Sequence, residues 1–259
     1  YFLKHNNIDN YINNIINKIN VDNNKELNII SNKIKTKIKN GLFPKEIKND
    51  IISKYKSLSN KYNMEDVDVA VRSSGTSEDM PDASFAGQQD TYLNIRGTDN
   101  LLKKIKDCFA SLFNERAISY RKSMKYDKKN IKLSVCIQKM IRSDLATSGV
   151  AFSIDTYSGC KDVVLINASY GLGETVVSGQ VNPDEFLVFK PKIKSKNPII
   201  DKKLGEKQQK LIYDQSITKL INTTELERNN FCLTKENIIK LSKYLIKIEN
   251  YYSNKYGRW

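Results

Sequence analysis

Apolar side chains recur at helical spacing through the first sixty residues. Residues 8–20, 25–40 and 44–60 each repeat an apolar position every three or four residues, the period of one helix face. Pro44 stands where the third segment opens, a position that suits proline. The stripe is clearest in the first segment, with Ile12, Ile15, Ile16 and Ile19. Three amphipathic helices are therefore predicted.

The pattern changes near residue 66, where apolar and polar side chains begin to alternate. Val67, Val69 and Val71 predict a half-buried strand that ends at Arg72. A polar loop rich in Ser, Thr, Gly and Asp follows to about residue 90. Residues 91–95 then predict a second strand.

One long helix, a run of strands and a last helix are predicted for the rest of the chain. Residues 98–122 carry a single apolar stripe, and residues 235–252 carry another. Residues 191–230 are polar and are predicted as hairpin and loop. Strand-like runs occupy 131–141, 148–154, 162–168 and 185–190. This order of elements indicates an α+β fold.

Charge and composition exclude some classes of partner. The formal net charge is +14, from 43 Lys and Arg against 29 Asp and Glu. The lysines are scattered among Asn and Ile without a recognition motif, so we expect a solvated surface and no nucleic-acid partner. No apolar run approaches the roughly 20 residues that span a bilayer, so no membrane partner is expected.

The cysteines and the single histidine point away from a metal centre of the zinc type. The four cysteines are dispersed without a C-x-x-C pair, and His5 is expected to be structural or exposed. Dispersed cysteines are typical of reduced thiols, which predicts a cytoplasmic protein. The first residue is Tyr1 rather than Met, so we expect a part of a longer protein.

Residues 69–94 concentrate groups that bind oxyanions. A guanidinium at Arg72 can hold phosphate oxygens through two parallel hydrogen bonds. Residues 73–76 (Ser-Ser-Gly-Thr) form a candidate anion nest at a turn. Gly87 allows close backbone approach and Thr91 adds a hydroxyl, although each residue alone also fits a solvated polar loop. The chain has no Walker A motif.

Four blocks within residues 66–191 form a distinctive set of motifs. They are VAVRSSGTSEDMPDASFAGQQDTYLN from Val69, CFASLF with RAISYR from Cys108, QKMIRSDLA with SGV from Gln138, and ASYGLGE with VNPDEF from Ala168. These blocks resemble the nucleotide-binding domain shared by phosphoenolpyruvate synthases, pyruvate phosphate dikinases and rifampicin phosphotransferases. The form ASFAGQQ at 83–89 resembles the phosphotransferases and not the dikinases, whereas RSDLA and VNPDEF resemble the synthases most.

The resemblance implies an ATP-grasp fold, in which ATP lies between two α+β lobes. Residues 1–259 would form one incomplete domain, with a mainly helical part at 1–62 and an α+β part that carries the site motifs at 63–259. We expect truncation at both ends. The chain lacks the family's glycine-rich segment with an ATP-contacting lysine, its Asp-Ile-Glu-Trp sequence and its Thr-Cys-His phosphocarrier motif.

Family roles carry over onto matching positions. Arg72 is similar to the arginine that contacts the ATP phosphates and is the candidate catalytic residue, while Gly87 and Thr91 match positions that line the phosphate and ribose region. Gln138 lies in the strand similar to the adenine hinge, where the backbone near Lys139 and Met140 would pair with the base. An apolar wall for the purine is expected from Val135, Ile137, Met140 and Ile141, although the same pattern fits plain core.

Two acidic residues complete the set of candidates. Glu174 follows a Gly-x-Gly turn and would bind nucleotide or magnesium, or position a loop; a solvated acid fits equally well. Glu249 resembles a family glutamate that faces ATP and magnesium, which makes it the candidate metal ligand. An ordinary exposed helix residue is the alternative for Glu249.

The resemblance also implies a reaction and its partners. ATP and Mg²⁺ would be the cofactors, and a histidine on another domain would carry phosphoryl to pyruvate, giving phosphoenolpyruvate, AMP and phosphate. Pyruvate would bind to other domains of the parent chain, and the protein could form a homodimer. The alternatives are a related enzyme with another acceptor, such as a rifampicin phosphotransferase, and a non-catalytic nucleotide- or nucleic-acid-binding module.

Overall fold

The computed structural model describes residues 1–21, 23–76, 79–80, 83–84, 90–123, 132–214 and 217–257. These residues form two compact units, 1–140 and 141–259, which are described separately. The expected division into a mainly helical part at 1–62 and an α+β part at 63–259 stays a prediction; within the first unit the fourth helix ends at Lys61 and the first strand begins at Val69. Among the described helices, none is long and apolar enough to cross a bilayer.

The first unit opens with the helices that the apolar spacing predicts. They are α1 Phe2–His5, α2 Ile8–Lys18, α3 Asn24–Asn40 and α4 Lys45–Lys61. The side chain of Asn23 caps α3 by accepting a hydrogen bond from the Glu26 amide. Ile34 and Ile38 are fully buried in a cluster with isoleucines of α2 and with Phe2. Burial of this stripe explains why the helices form here.

The helix expected over residues 98–122 is divided into α5 Thr98–Ser111 and α6 Glu115–Ser123. Between them the Phe113 amide donates to the Ala110 carbonyl and the Asn114 amide donates to the Ser111 carbonyl, which are turn contacts. The Phe113 carbonyl accepts a 2.8 Å hydrogen bond from Ser31 Oγ of α3. The break buries Phe113 and leaves its carbonyl satisfied.

An antiparallel three-stranded sheet covers α5 in the first unit. The strand β1 Val69–Gly75 lies between β4 Thr91–Ile95 and β5 Leu133–Lys139. Two short paired strands, β2 Asp79–Met80 and β3 Ala83–Ser84, lie between β1 and β4 in the sequence. The predicted first strand is present, but it continues to Gly75 instead of ending at Arg72, and Ala70, expected on the exposed side, is buried.

The second unit is built on an antiparallel sheet in the order β6-β7-β8-β9. Ile238 of the last helix packs against the buried apolar residues of β7 and β8. The strands are β6 Thr147–Phe152, β7 Val163–Tyr170, β8 Asp184–Phe189, β9 Ile199–Lys203, β10 Gln209–Asp214 and β11 Ile217–Asn222; the helices are α7 Glu174–Val177, α8 Glu225–Asn229 and α9 Lys235–Tyr256. The expected hairpin within 191–230 is β10–β11.

Candidate functional site

Arg72 lies at the centre of a polar face on the three-stranded sheet. It pairs with Thr91 of β4 on one side and with Cys136 of β5 on the other, so these three side chains share one face. All three are exposed. Gln138 belongs to the same face of β5, and its Oε1 lies 3.5 Å from Arg72 Nη1. The structure therefore brings together Arg72, Thr91 and Gln138, which the sequence had singled out separately.

Two further side chains of this face were missed by sequence reasoning. Ser134 and Cys136 are exposed residues of β5 that alternate with inward-facing ones. The hydroxyl of Ser134 donates a 3.2 Å hydrogen bond to the Ser74 carbonyl. Only the strand register places them beside Arg72, and the register has no signal in a single sequence. We call the exposed side chains of Arg72, Ser74, Thr91, Ser134, Cys136 and Gln138 the Arg72 face.

The anion nest expected at residues 73–76 is wrong. Ser73, Ser74 and Gly75 continue β1 and pair with β5 rather than forming a turn. The Thr76 amide donates to the Lys132 carbonyl at 2.9 Å. Extended backbone that pairs in a ladder does not gather successive N–H groups around an anion. An oxyanion on this face would therefore meet side chains, chiefly the Arg72 guanidinium.

Val135 and Ile137 do not form an apolar wall beside Arg72. They point to the opposite side of β5, where they pack with the buried cluster of β1 and α5. There they border an apolar cavity of about 620 Å³ together with Phe43 and Phe109. A purine that lies on the Arg72 face cannot use these side chains, because successive residues of a strand point to opposite faces. Val135 and Ile137 therefore belong to the hydrophobic core, which was the alternative interpretation of this sequence pattern.

Asp68, which directly precedes β1, contacts the backbone and a side chain at the end of β5. The Met140 amide donates to the Asp68 carbonyl at 2.9 Å, and Lys139 Nζ lies 2.6 Å from Asp68 Oδ1 and donates to the Met140 carbonyl. Met140 is buried, whereas Ile141 is 78% exposed. Pairing of a base with the Met140 backbone would require these bonds to be exchanged, so the hinge role of Lys139 and Met140 stays a prediction.

Gly87 lies outside the described residues.

Glu174 lies in the second unit, in a segment that we call the glycine loop (residues 171–174). Its side chain is exposed. Ser148 Oγ donates to the Gly171 carbonyl at 2.6 Å, and the Leu172 amide donates to the Leu211 carbonyl at 2.9 Å. The loop is thus fixed while the Glu174 carboxylate stays accessible, and its binding role stays a prediction.

Glu249 of α9 has a partner within the protein. Lys190 Nζ lies 2.7 Å from Glu249 Oε1 and 2.8 Å from Oε2, and it also donates to the Ser153 carbonyl. Both side chains of the pair are largely buried. Glu249 is therefore not the exposed helix residue of the alternative interpretation. A nucleotide or metal would have to compete with Lys190, so these roles for Glu249 also stay predictions.

A resident metal does not fit the side chains that the structure describes. Within those ranges no three His, Cys, Asp or Glu side chains come together in a group that could hold a metal ion. Divalent cations need several oxygen ligands, and the carboxylate of Glu249 is already neutralised by Lys190.

Comparison with known proteins places the chain in a family. A family model described as "Pyruvate phosphate dikinase, AMP/ATP-binding domain" matches residues 1–256. The phosphoenolpyruvate synthase of Aquifex aeolicus is 48% identical over 263 residues, which covers 100% of this chain and 31% of that protein. The synthase of Helicobacter pylori is 50% identical over 232 residues (88% and 29%), and that of Escherichia coli 47% over 216 residues (81% and 27%).

This chain spans about a third of the length of the relatives that it matches. The family match extends over nearly every residue of it and includes both compact units. The resemblance predicted from the four blocks is thereby confirmed, and the chain belongs to the pyruvate phosphate dikinase AMP/ATP-binding domain family.

Proposed function

We propose that this chain binds ATP and that Arg72 holds the phosphate oxygens on the Arg72 face. The observation that carries the proposal is the placing of the Arg72 guanidinium between Thr91 and Cys136, with Gln138 Oε1 3.5 Å away. A guanidinium presents a planar fork that matches phosphate oxygens. Gln138 restrains that fork from one side, and the hydroxyl of Thr91 offers a second donor beside it.

Removal of Arg72 tests this proposal. A hydrogen bond to a charged group contributes about 1.5–3 kcal/mol, so we expect Arg72→Ala to raise the ATP Kd of the 259-residue chain about 10- to 100-fold, measured by titration calorimetry. Arg72→Lys keeps the charge but loses the fork and should lie between. Arg96→Ala is the matched control, because Arg96 is an exposed arginine that follows β4.

Two outcomes would refute the ATP proposal. One is a wild-type chain that binds no ATP at millimolar concentration. The other is an Arg72→Ala variant whose ATP affinity equals that of Arg96→Ala, since a mere change in net charge would then account for any loss.

For the parent protein we propose phosphoenolpyruvate synthase activity with an ATP-grasp arrangement of the nucleotide domain. The support is the identity of 48% and 50% with two proteins of that name. The reaction would convert ATP, pyruvate and water into AMP, phosphoenolpyruvate and phosphate through a phosphohistidine on another domain. Mg²⁺ as the ATP counter-ion, pyruvate binding by other domains, a cytoplasmic location and a homodimer belong to the same proposal.

The acceptor is tested with the full-length protein. Phosphorus NMR of a mixture with ATP, Mg²⁺ and pyruvate should report AMP, phosphate and phosphoenolpyruvate in equal amounts. The same mixture with rifampicin in place of pyruvate serves as the control. Phosphorylated rifampicin without phosphoenolpyruvate would overturn the synthase proposal in favour of an antibiotic phosphotransferase.

A further inference from the structure

An apolar cavity of about 620 Å³ borders β5 in the first unit, and we call it the β5 cavity. Protein interiors are packed about as densely as organic crystals, with few voids larger than a water molecule. Water would find few hydrogen-bond partners in this cavity, because most of its lining is apolar. The lining comes from α1, α4, α5 and β5, and includes Phe2, Ile47, Ile105, Phe109, Leu133 and Ile137. A space of this size and composition indicates a place where a further apolar segment can pack.

The inner face of the three-stranded sheet is fully covered at β1 but only partly covered at β5. Val71 of β1 pairs with Ile137 of β5, so the two side chains point to the same side of the sheet. Val71 is fully buried, whereas Ile137, Val135 and Leu133 are each only partly buried. The core packing that covers β1 therefore becomes incomplete at the strand that borders the cavity.

The outer edge of β5 presents backbone groups that can pair with another strand. In the sheet that the described residues form, β5 pairs with β1 alone. At the two ends of this ladder, the Met140 amide donates to the Asp68 carbonyl and the Thr76 amide donates to the Lys132 carbonyl. Hydrogen-bonded and non-bonded pairs alternate along an antiparallel ladder, so even-numbered residues of β5 bond to β1 and odd-numbered ones face outward. The outward-facing residues are Leu133, Val135, Ile137 and Lys139.

Tyr1 connects this edge to the rest of the parent protein. Its side chain lines the β5 cavity and is 80% exposed, so residues that precede Tyr1 in the parent protein would start at the cavity. The chain covers 31% of the Aquifex aeolicus relative, which leaves most of a protein of that length outside the matched part. A segment joined covalently to Tyr1 would meet the cavity at an effective concentration of about millimolar, which favours it over a separate partner.

We propose that the segment of the parent protein directly before Tyr1 adds a strand to the outer edge of β5 and fills the β5 cavity with apolar side chains. Its backbone bonds to the outward-facing groups of β5, which is recognition by strand addition. Alternate side chains of the added strand enter the cavity, and the others lie on the opposite side of the sheet. The segment should therefore be an extended run with an apolar residue at every second position. This pairing forms whether or not ATP is bound.

Hydrogen exchange in the full-length parent protein tests the added strand. We expect the Val135 and Ile137 amides to exchange about 100-fold or more slowly than in an unstructured peptide, because paired amides exchange only when the sheet opens. Mass spectrometry with fragmentation to single residues gives these rates. The Cys136 and Gln138 amides face β1 and are the matched control within the same strand. Rapid exchange at Val135 and Ile137 beside slow exchange at Cys136 and Gln138 would overturn the proposal.

A photo-cross-link in the full-length parent protein identifies the segment that fills the cavity. The variant Phe43→Bpa, where Bpa is p-benzoylphenylalanine, places a photoreactive ring in the lining of the cavity. Tyr62→Bpa is the matched control, because Tyr62 is an exposed aromatic residue of the same unit outside that lining. Irradiation of Phe43→Bpa should yield a cross-linked peptide that ends just before or at Tyr1, and Tyr62→Bpa should not yield it.

Other cross-links would overturn the assignment of the added strand. A product that joins Phe43→Bpa to a different domain or to a second copy of the protein would show another occupant. A parent sequence without alternating apolar residues directly before Tyr1 would contradict the proposal as well. If Phe43→Bpa fails to fold, hydrogen exchange of the unmodified parent protein still decides whether the edge of β5 is paired. None of these readouts uses ATP, so their failure is distinct from failure of the proposed function.

Discussion

Arg72 and Cys136 lie directly opposite each other across the β1–β5 ladder, with both side chains on the exposed face of the sheet. A thiol on β5 therefore borders the guanidinium that we propose as the phosphate ligand. Nothing about the two residues in sequence suggests this proximity, since 63 positions separate them. The relationship makes Cys136 a reporter for occupancy of the Arg72 face.

We expect ATP to protect Cys136 from alkylation by iodoacetamide. A nucleotide on the Arg72 face would cover the thiol, whereas Cys160, exposed in the second unit, gives the matched control within the same molecule. Peptide mass spectrometry should show several-fold slower labelling of Cys136 with saturating ATP and no change at Cys160. Equal labelling of Cys136 with and without ATP would count against nucleotide binding on this face.

Burial should keep Cys108 unreactive in the same experiment. Removal from water, together with the nearby carboxylates of Asp90 and Asp107, raises the pKa of this thiol to about 12. The thiolate is the nucleophile, so labelling of Cys108 at pH 8 should require unfolding in urea. Rapid labelling of Cys108 in the folded chain would contradict the packing around α5.

The glycine loop should tolerate no side chain at its first residue. Gly171→Ala adds a Cβ against the Leu211 backbone, so we expect a loss of about 2–5 kcal/mol in the free energy of unfolding, combining a strained φ with overpacking. Gly159→Ala is the control, since Gly159 also has positive φ but nothing within 4 Å. It should lose only about 1–2 kcal/mol in urea denaturation. Equal losses would argue against close contact with β10.

Removal of one partner from the buried pair Lys207–Asp184 should strongly destabilise the second unit. Both side chains are inaccessible to solvent, and Lys207 Nζ lies 2.6 Å from Asp184 Oδ1. Lys207→Met would leave a carboxylate buried without its cation, which typically costs about 3–5 kcal/mol. Lys203→Met removes an exposed lysine from the same stretch and should change the free energy of unfolding by less than about 0.5 kcal/mol. Similar values for the two variants would refute the prediction.

The contribution of Asp144 should depend on pH. Hydrogen bonds from Arg142 hold the pKa of Asp144 below its usual range and outweigh the opposing effect of burial. A carboxyl whose pKa is lowered by folding stabilises the protein above its unfolded pKa of about 4 and loses that effect as pH falls through the folded value. Asp144→Asn should thus cost about 1 kcal/mol at pH 7, and much less at pH 2–3. A difference that grows on acidification would contradict this sign.

Local periodicity predicted the helices well because each amphipathic stripe is a local property. The spacing of the isoleucines in α2 predicted which side of that helix is buried. Arg72, Thr91 and Gln138 were predicted as site residues from the motifs that contain them. What the sequence could not give was the pairing of strands. The register of β5 decides that Cys136 joins Arg72 and that Val135 belongs to the core. Likewise, the break after Ser111 depends on a partner in α3, Ser31, which no helical period reveals.

The hydrogen bond between the Leu172 amide and the Leu211 carbonyl uses main-chain atoms on both sides. This hydrogen bond therefore does not depend on the identity of the side chain at residue 211, provided that an extended backbone is kept. Substitutions toward lysine, asparagine or isoleucine, which are frequent in the neighbouring sequence, would therefore keep this main-chain contact. A segment of ordinary composition can thus be constrained in its backbone position. That constraint would be visible in the requirement for glycine at the residue that it faces rather than in its own residues.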